Sequence, residues 1–117
     1  AHLCRRLADG GYNVRMLVTL DPVGGGLVSR IGHGLYARPQ AAPHAAFWVN
    51  VSCRPRGGNV SDVVASLGRR WYPQAGPDVY REIPLSHADV QAMFTGAVWQ
   101  GRSALDMLEA DIRDCLL

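Results

Sequence analysis

The run Val14-Arg15-Met16-Leu17-Val18-Thr19-Leu20 constrains this chain more than any other. It is short, almost continuously apolar and rich in β-branched residues. That pattern predicts a strand covered on both faces, as in a parallel sheet. The run stops at Asp21-Pro22, and Val23 and the triple glycine 24–26 follow. Ahead of it, residues 1–9 read as the tail of a helix, with Leu3 and Leu7 inward and Arg5, Arg6 and Asp9 outward. Gly10-Gly11 closes that helix. Helix, tight turn, buried strand and loop, in that order, form the grammar of an α/β fold.

The rest of the chain continues the pattern. Residues 46–53 predict a second strand, with Phe47, Val49 and Val51 on one face and Trp48 on the other. Residues 79–84 predict a short third strand ended by Pro84. Between the first two strands lies an irregular stretch that holds Gly32, His33, Gly34, Pro39, Pro43 and His44 and allows a short helix over 27–31. A loop of that length is uncommon unless it is functional. Residues 60–68 are ambiguous between a short helix and a covering loop, and 69–78 read as loop. Ser86 looks like an N-cap with Asp89 as its partner, ahead of a helix over about 87–95 that buries Val90, Met93 and Phe94. Ser103 and Asp106 repeat that pattern ahead of a last helix. Its stripe is Leu105, Leu108, Ile112, Cys115 and Leu116. No internal repeat or low-complexity tract is present.

Composition excludes several classes. At 117 residues the chain has the length of one domain. No run approaches the roughly 18 apolar residues of a membrane span, and no secretory h-region follows Arg5-Arg6. All 12 basic residues are arginine, and the net charge is +2. The arginines are dispersed and never exceed two in a row, unlike the clustered basic face of a nucleic-acid binder. Cys4, Cys53 and Cys115 form neither a disulfide framework nor a metal knuckle, and Cys4 and Cys115 fall on or beside apolar helix faces. No two histidines share the i,i+4 or HxH spacing of a metal site, so neither metal nor cofactor is expected.

Two residues stand out for chemistry. Asp21 sits where the first strand ends, and in open α/β sheets ligands bind beyond the carboxyl ends of the strands. A carboxylate there can accept Nδ1–H from a histidine and fix its tautomer. His87, in Pro84-Leu85-Ser86-His87-Ala88-Asp89, follows the last short strand and has the loop setting a general base needs. The bland alternatives are an Asp that caps a turn before proline and a polar residue in a first helical turn. The order is acid after one strand, histidine after a later strand. The α/β-hydrolase triad has that order once its serine has passed.

On these residues the chain resembles bacterial lipase- or esterase-like α/β-hydrolases. Gly11-Tyr12-Asn13-Val14-Arg15-Met16-Leu17-Val18-Thr19-Leu20-Asp21-Pro22-Val23-Gly24 is similar to the segment that delivers the triad acid in that family. Trp48-Val49-Asn50-Val51 resembles the next strand, and Pro84-Leu85-Ser86-His87-Ala88-Asp89-Val90 resembles the segment that bears the triad histidine. The likeness covers roughly residues 1–95. It implies a partial three-layer α/β-hydrolase-type fold over 1–117, with about three mainly parallel strands and flanking helices. Asp21 would be the triad acid and His87 the general base. The substrate would be an acyl ester or lipid, and the 24–45 loop a lid or substrate wall.

One family element is missing. No Gly-x-Ser-x-Gly elbow occurs, and Ser29, Ser52, Ser61, Ser66, Ser86 and Ser103 all lack its setting. The resemblance implies that residues 1–9 are the end of the helix behind the elbow. The elbow and the oxyanion hole would then belong to a missing N-terminal half that precedes Ala1. The chain alone is expected to be inactive. A different class also fits: a non-catalytic α/β module that uses the 14–20 strand edge for protein–protein interaction or dimerisation.

Overall fold

The structure is a computed structural model that describes residues 2–23, 43–67, 73 and 76–117. Helix α1 spans His2–Asp9 and strand β1 spans Met16–Leu20. Strand β2 (Phe47–Cys53), helix α2 (Val60–Leu67) and strand β3 (Val79–Ile83) follow. Helix α3 (Val90–Thr95), the short strands β4 (Ala97–Trp99) and β5 (Arg102–Ser103), and helix α4 (Ala104–Leu116) complete the chain. The 27–31 helix, His33, and nearly all of the 24–45 loop fall outside the described residues.

Helix α1 ends as its glycines require. Tyr12 N–H reaches the Leu7 carbonyl at 2.9 Å and Gly11 N–H the Ala8 carbonyl at 3.0 Å. Together they form a Schellman closure, with Gly11 at φ +83°. The buried side chain is Cys4, whereas Leu3 is exposed, contrary to the Leu3–Leu7 stripe expected from the sequence. Cys4 lies one residue, about 100°, around the helix from Leu3, and the covered side falls there.

The strands form one parallel sheet in the order β1-β2-β3. Met16 pairs with Phe47 and Leu20 with Val51; Val49 pairs with Val79 and Cys53 with Ile83. The central position goes to β2, which is buried from Trp48 onward. Strand β1 is half-buried along its whole length, because it forms an edge among the described residues. The α/β class read from the sequence is therefore present, with the strands parallel.

The two faces of the sheet differ. One is aliphatic: Val49, Val51, Cys53 and Val79 pack with Met93, Val98, Ala104 and Met107, and Met16, Val18, Leu20 and Phe94 border them. Burying a side chain of this size contributes about 1.5–3 kcal/mol. The other face carries a polar chain. Trp48 Nε1–H donates to Thr19 Oγ1 at 2.9 Å, Thr19 donates to Asn50 Oδ1 at 2.6 Å, and Asn50 Nδ2–H donates to Ser52 Oγ at 2.9 Å. Asn50 and Ser52 are fully buried, so these bonds meet the requirement that buried polar groups be partnered. Farther along, Tyr80 donates to Glu82 at 2.7 Å. Burial pushes the Tyr80 hydroxyl up, and the Arg54 guanidinium holds the Glu82 carboxyl below its ordinary range.

Helix α4 starts where the sequence places it. Ser103 Oγ accepts Asp106 N–H at 3.0 Å while Asp106 Oδ2 accepts Ser103 N–H at 2.8 Å, a reciprocal capping box. Arg15 ties the helix to the start of β1 through Asp111 at 2.9 Å, and that bond raises the Arg15 guanidinium. The expected stripe is not the buried one: Leu105 and Leu108 are half-buried and Ile112, Cys115 and Leu116 exposed, while the buried side chains of the helix are Ala104 and Met107, one position N-terminal to the first two. The three cysteines are free. Helix α3 is shorter than expected and begins at Val90, because Ser86–Asp89 forms a separate turn; Met93 is buried but Val90 is exposed. Among the described residues no helix is long and apolar enough to cross a membrane.

Candidate active site

Parallel strands place all their carboxyl ends together, so Leu20, Cys53 and Ile83 open onto the same end of the sheet. Asp21 comes directly after β1. Its N–H still joins the ladder, donating to the Val51 carbonyl at 2.6 Å. The backbone then turns through φ +41°, a left-handed conformation that Asp tolerates better than most residues. The side chain is 1% exposed. Its Oδ1 accepts the backbone N–H of Cys53 at 2.9 Å, which leaves Oδ2 directed at the loop after β3.

His87 meets it there. Nδ1 of His87 lies 2.7 Å from Asp21 Oδ2, a contact that closes 66 residues of chain. A carboxylate is acceptor-only, so the ring donates from Nδ1, and its Nε2 lone pair stays available. The His87 side chain is 31% exposed, partly open to solvent while its partner is sealed. The structure thus brings together the two residues singled out in the sequence.

The loop carrying His87 is held at several points. Ser86 N–H donates to Asp89 Oδ2 at 3.0 Å. Asn59 Nδ2–H donates to Ser86 Oγ at 2.7 Å, and Cys53 Sγ lies 3.5 Å from the Ser86 carbonyl. His87 N–H donates to Asp62 Oδ1 at 2.9 Å. Ser86 is therefore a bracing residue, occupied by its neighbours and not turned to the imidazole.

Asp62 and Asn59 are not foreseen from the sequence. Asn59 caps α2: its Oδ1 accepts Asp62 N–H at 2.9 Å, and Asp62 Oδ2 accepts Asn59 N–H at 3.2 Å. The signal was the spacing Asn59-x-x-Asp62 ahead of Val60, Val63 and Val64, an N-cap pattern with Asp in place of the usual Glu. Of the ambiguous 60–68 segment, Val60–Leu67 is helix. Among the described residues no three metal-ligating side chains converge. His33, Trp71 and Tyr72 fall outside the described residues, and His44 is exposed.

No protein-family model, curated protein or solved structure matches the chain.

Proposed function

We propose that Asp21 and His87 are the acid and the general base of a serine ester hydrolase of α/β-hydrolase type, acting on an acyl ester or lipid. The nucleophilic serine and the oxyanion hole come from another segment, the N-terminal half of the domain. The reading rests on one observation: the 2.7 Å contact between His87 Nδ1 and a buried carboxylate at the carboxyl end of a parallel sheet.

The chemistry follows from that contact. Asp21 fixes the tautomer with its proton on Nδ1, so Nε2 takes the proton from the serine hydroxyl as its oxygen attacks the ester carbonyl. Asp21 stabilises the imidazolium that forms. Nε2–H then protonates the departing alkoxide, and the acyl-enzyme is hydrolysed by water activated at the same nitrogen. A fluorophosphonate probe tests this on the full-length protein that contains the segment. Labelling is expected, and His87→Ala abolishes it. An unlabelled wild-type protein overturns the reading.

A second reading has its own observation. A groove of about 660 Å³ runs along the β1 edge, lined by Met16, Leu17, Val18, Leu20, Val90, Gln91, Phe94 and Leu108. Among the described residues β1 is an edge strand, and such an edge beside an apolar trough suits strand addition by a protein partner or a second copy, with no catalysis. Residues 1–117 expressed alone would then run as a monomer or dimer on sizing chromatography. Aggregation speaks against that module.

A further inference from the structure

Helix α2 meets the rest of the molecule through its polar side. Val60, Val63, Val64 and Leu67 are exposed, whereas Asp62 and Ala65 are buried. An ordinary surface helix does the reverse. Among the described residues, the inner side of α2 is therefore seated by hydrogen bonds more than by apolar burial.

Two residues at its N-terminus divide their atoms between two tasks. Asn59 caps the helix with Oδ1, which accepts Asp62 N–H at 2.9 Å, and directs Nδ2–H to Ser86 Oγ at 2.7 Å. Asp62 completes the cap with Oδ2, which accepts Asn59 N–H at 3.2 Å, and turns Oδ1 to His87 N–H at 2.9 Å. A reciprocal cap needs one atom from each side chain. The second atom of each goes to one of two neighbouring residues, Ser86 and His87.

Those two residues have a long reach to cover. His87 follows β3, yet its ring meets Asp21 at the end of β1, two strands across the sheet. Strand pairing stops at Ile83, so no ladder fixes the main chain at 86–87. A hydrogen bond tolerates displacement by only a few tenths of an ångström. The 2.7 Å contact between His87 Nδ1 and Asp21 therefore depends on what holds that loop.

We propose that Asn59 and Asp62 are positioning residues for the general base. They form a two-point clamp on Ser86 and His87 that keeps the imidazole aligned with Asp21. Their effect on turnover rests on the hydrolase reading; their effect on the ring does not.

Two variants open the clamp from opposite sides. Ser ranks with Asn as an N-cap, so Asn59→Ser keeps the helix capped but is too short to reach Ser86. Ser86→Ala removes the same bond and leaves α2 untouched. Each is made in the full-length protein that contains the segment, and circular dichroism establishes that it is folded. In both, the low-field Nδ1 proton resonance of His87 is expected to broaden or move upfield. Misplacement by about 1 Å can cost a hundredfold, so kcat should fall by about tenfold to a hundredfold with KM little changed. The double variant should be no worse than either single one, because all three remove one interaction. The Asp62 arm is read in the wild type: the His87 amide should exchange with deuterium no faster than that of Val63, which bonds the Asn59 carbonyl in the first turn of α2.

Four results overturn the clamp: an unchanged Nδ1 resonance in the folded variants, additive losses in the double variant, a rise in KM at constant kcat, or a His87 amide that exchanges freely. If one variant fails to fold, the other and the exchange rate decide. A protein that neither hydrolyses esters nor takes the fluorophosphonate, yet loses the Nδ1 resonance in both variants, overturns the hydrolase reading and keeps the clamp.

Discussion

The Asp62 carboxylate accepts His87 N–H at 2.9 Å through Oδ1 and Asn59 N–H at 3.2 Å through Oδ2. One buried side chain thereby completes the reciprocal cap that Asn59 begins and anchors the loop bearing the imidazole, 25 residues further on. Asp62→Ala removes the acceptor of both bonds. A hydrogen bond to a charged group contributes about 1.5–3 kcal/mol, so urea denaturation should show a loss in that range. Asp62→Asn keeps one acceptor oxygen and should cost less. The His87 amide resonance is expected to move in both variants.

Asp21→Asn is the sharper test of the pair. Asn tolerates the left-handed backbone at this position about as well as Asp, so the fold should survive. The amide can present N–H to His87 and favour the wrong tautomer. In the full-length protein, ester turnover should fall by a factor on the order of 10⁴, with thermal stability little changed. Retained turnover would remove Asp21 from the proposed mechanism.

The capping box of α4 predicts a pH-dependent loss. Ser103→Ala should cost about 1 kcal/mol at neutral pH, the usual price of a missing N-cap. Hydrogen bonds from Ser103 hold the Asp106 carboxyl below its ordinary value of 3.8. The folded chain therefore binds this proton less readily than the unfolded chain. The stabilisation is present above the ordinary value and disappears as pH falls through the lowered one. Chemical denaturation of wild type and variant should converge as the pH is taken down through that window.

Met93 is fully buried in the aliphatic core, and its sulfur lies 3.2 Å from Cys53 Sγ. Met93→Ala should destabilise the chain by about 2–5 kcal/mol, the range for opening a cavity of this size. The midpoint of a denaturant melt should drop with an unchanged slope.

The β4–β5 hairpin turns through Gln100 and Gly101, both at positive φ (48° and 76°), the mark of a type I′ turn. Gln is a poor residue there. Gln100→Asn creates the favoured Asn-Gly pair and should raise stability by a few tenths of a kcal/mol up to about 1, read as a higher melting temperature.

This hairpin also marks where the sequence stops being readable. Val98 is its one buried residue apart from Ser103, so no alternation flags the strands, and Gln-Gly is a weak turn signal beside Asn-Gly. The sheet was legible for the opposite reason. Two runs of β-branched residues stop at sharp breakers, Asp21-Pro22 and Arg54-Pro55, and only parallel strands read that way. Asp21 and His87 were legible from chain order and strand-end position. Asp62 was hidden because its role depends on a backbone N–H, and any residue at position 87 other than proline would supply one. The exposed valines of α2 were also unreadable: an i, i+3, i+4, i+7 stripe says which side is apolar, and packing decides which way that side faces.

Acid, brace and histidine follow three successive strands: Asp21 ends β1, Cys53 N–H ends β2, and His87 follows β3. A slip of one residue in either strand pairing displaces a partner by about 3.3 Å, more than a hydrogen bond can absorb. The Nδ1 proton shared between His87 and Asp21 is therefore a single-atom gauge of alignment for the whole sheet. Its low-field resonance should appear only once both pairings are in register, and it should vanish on denaturation together with the last strand contact.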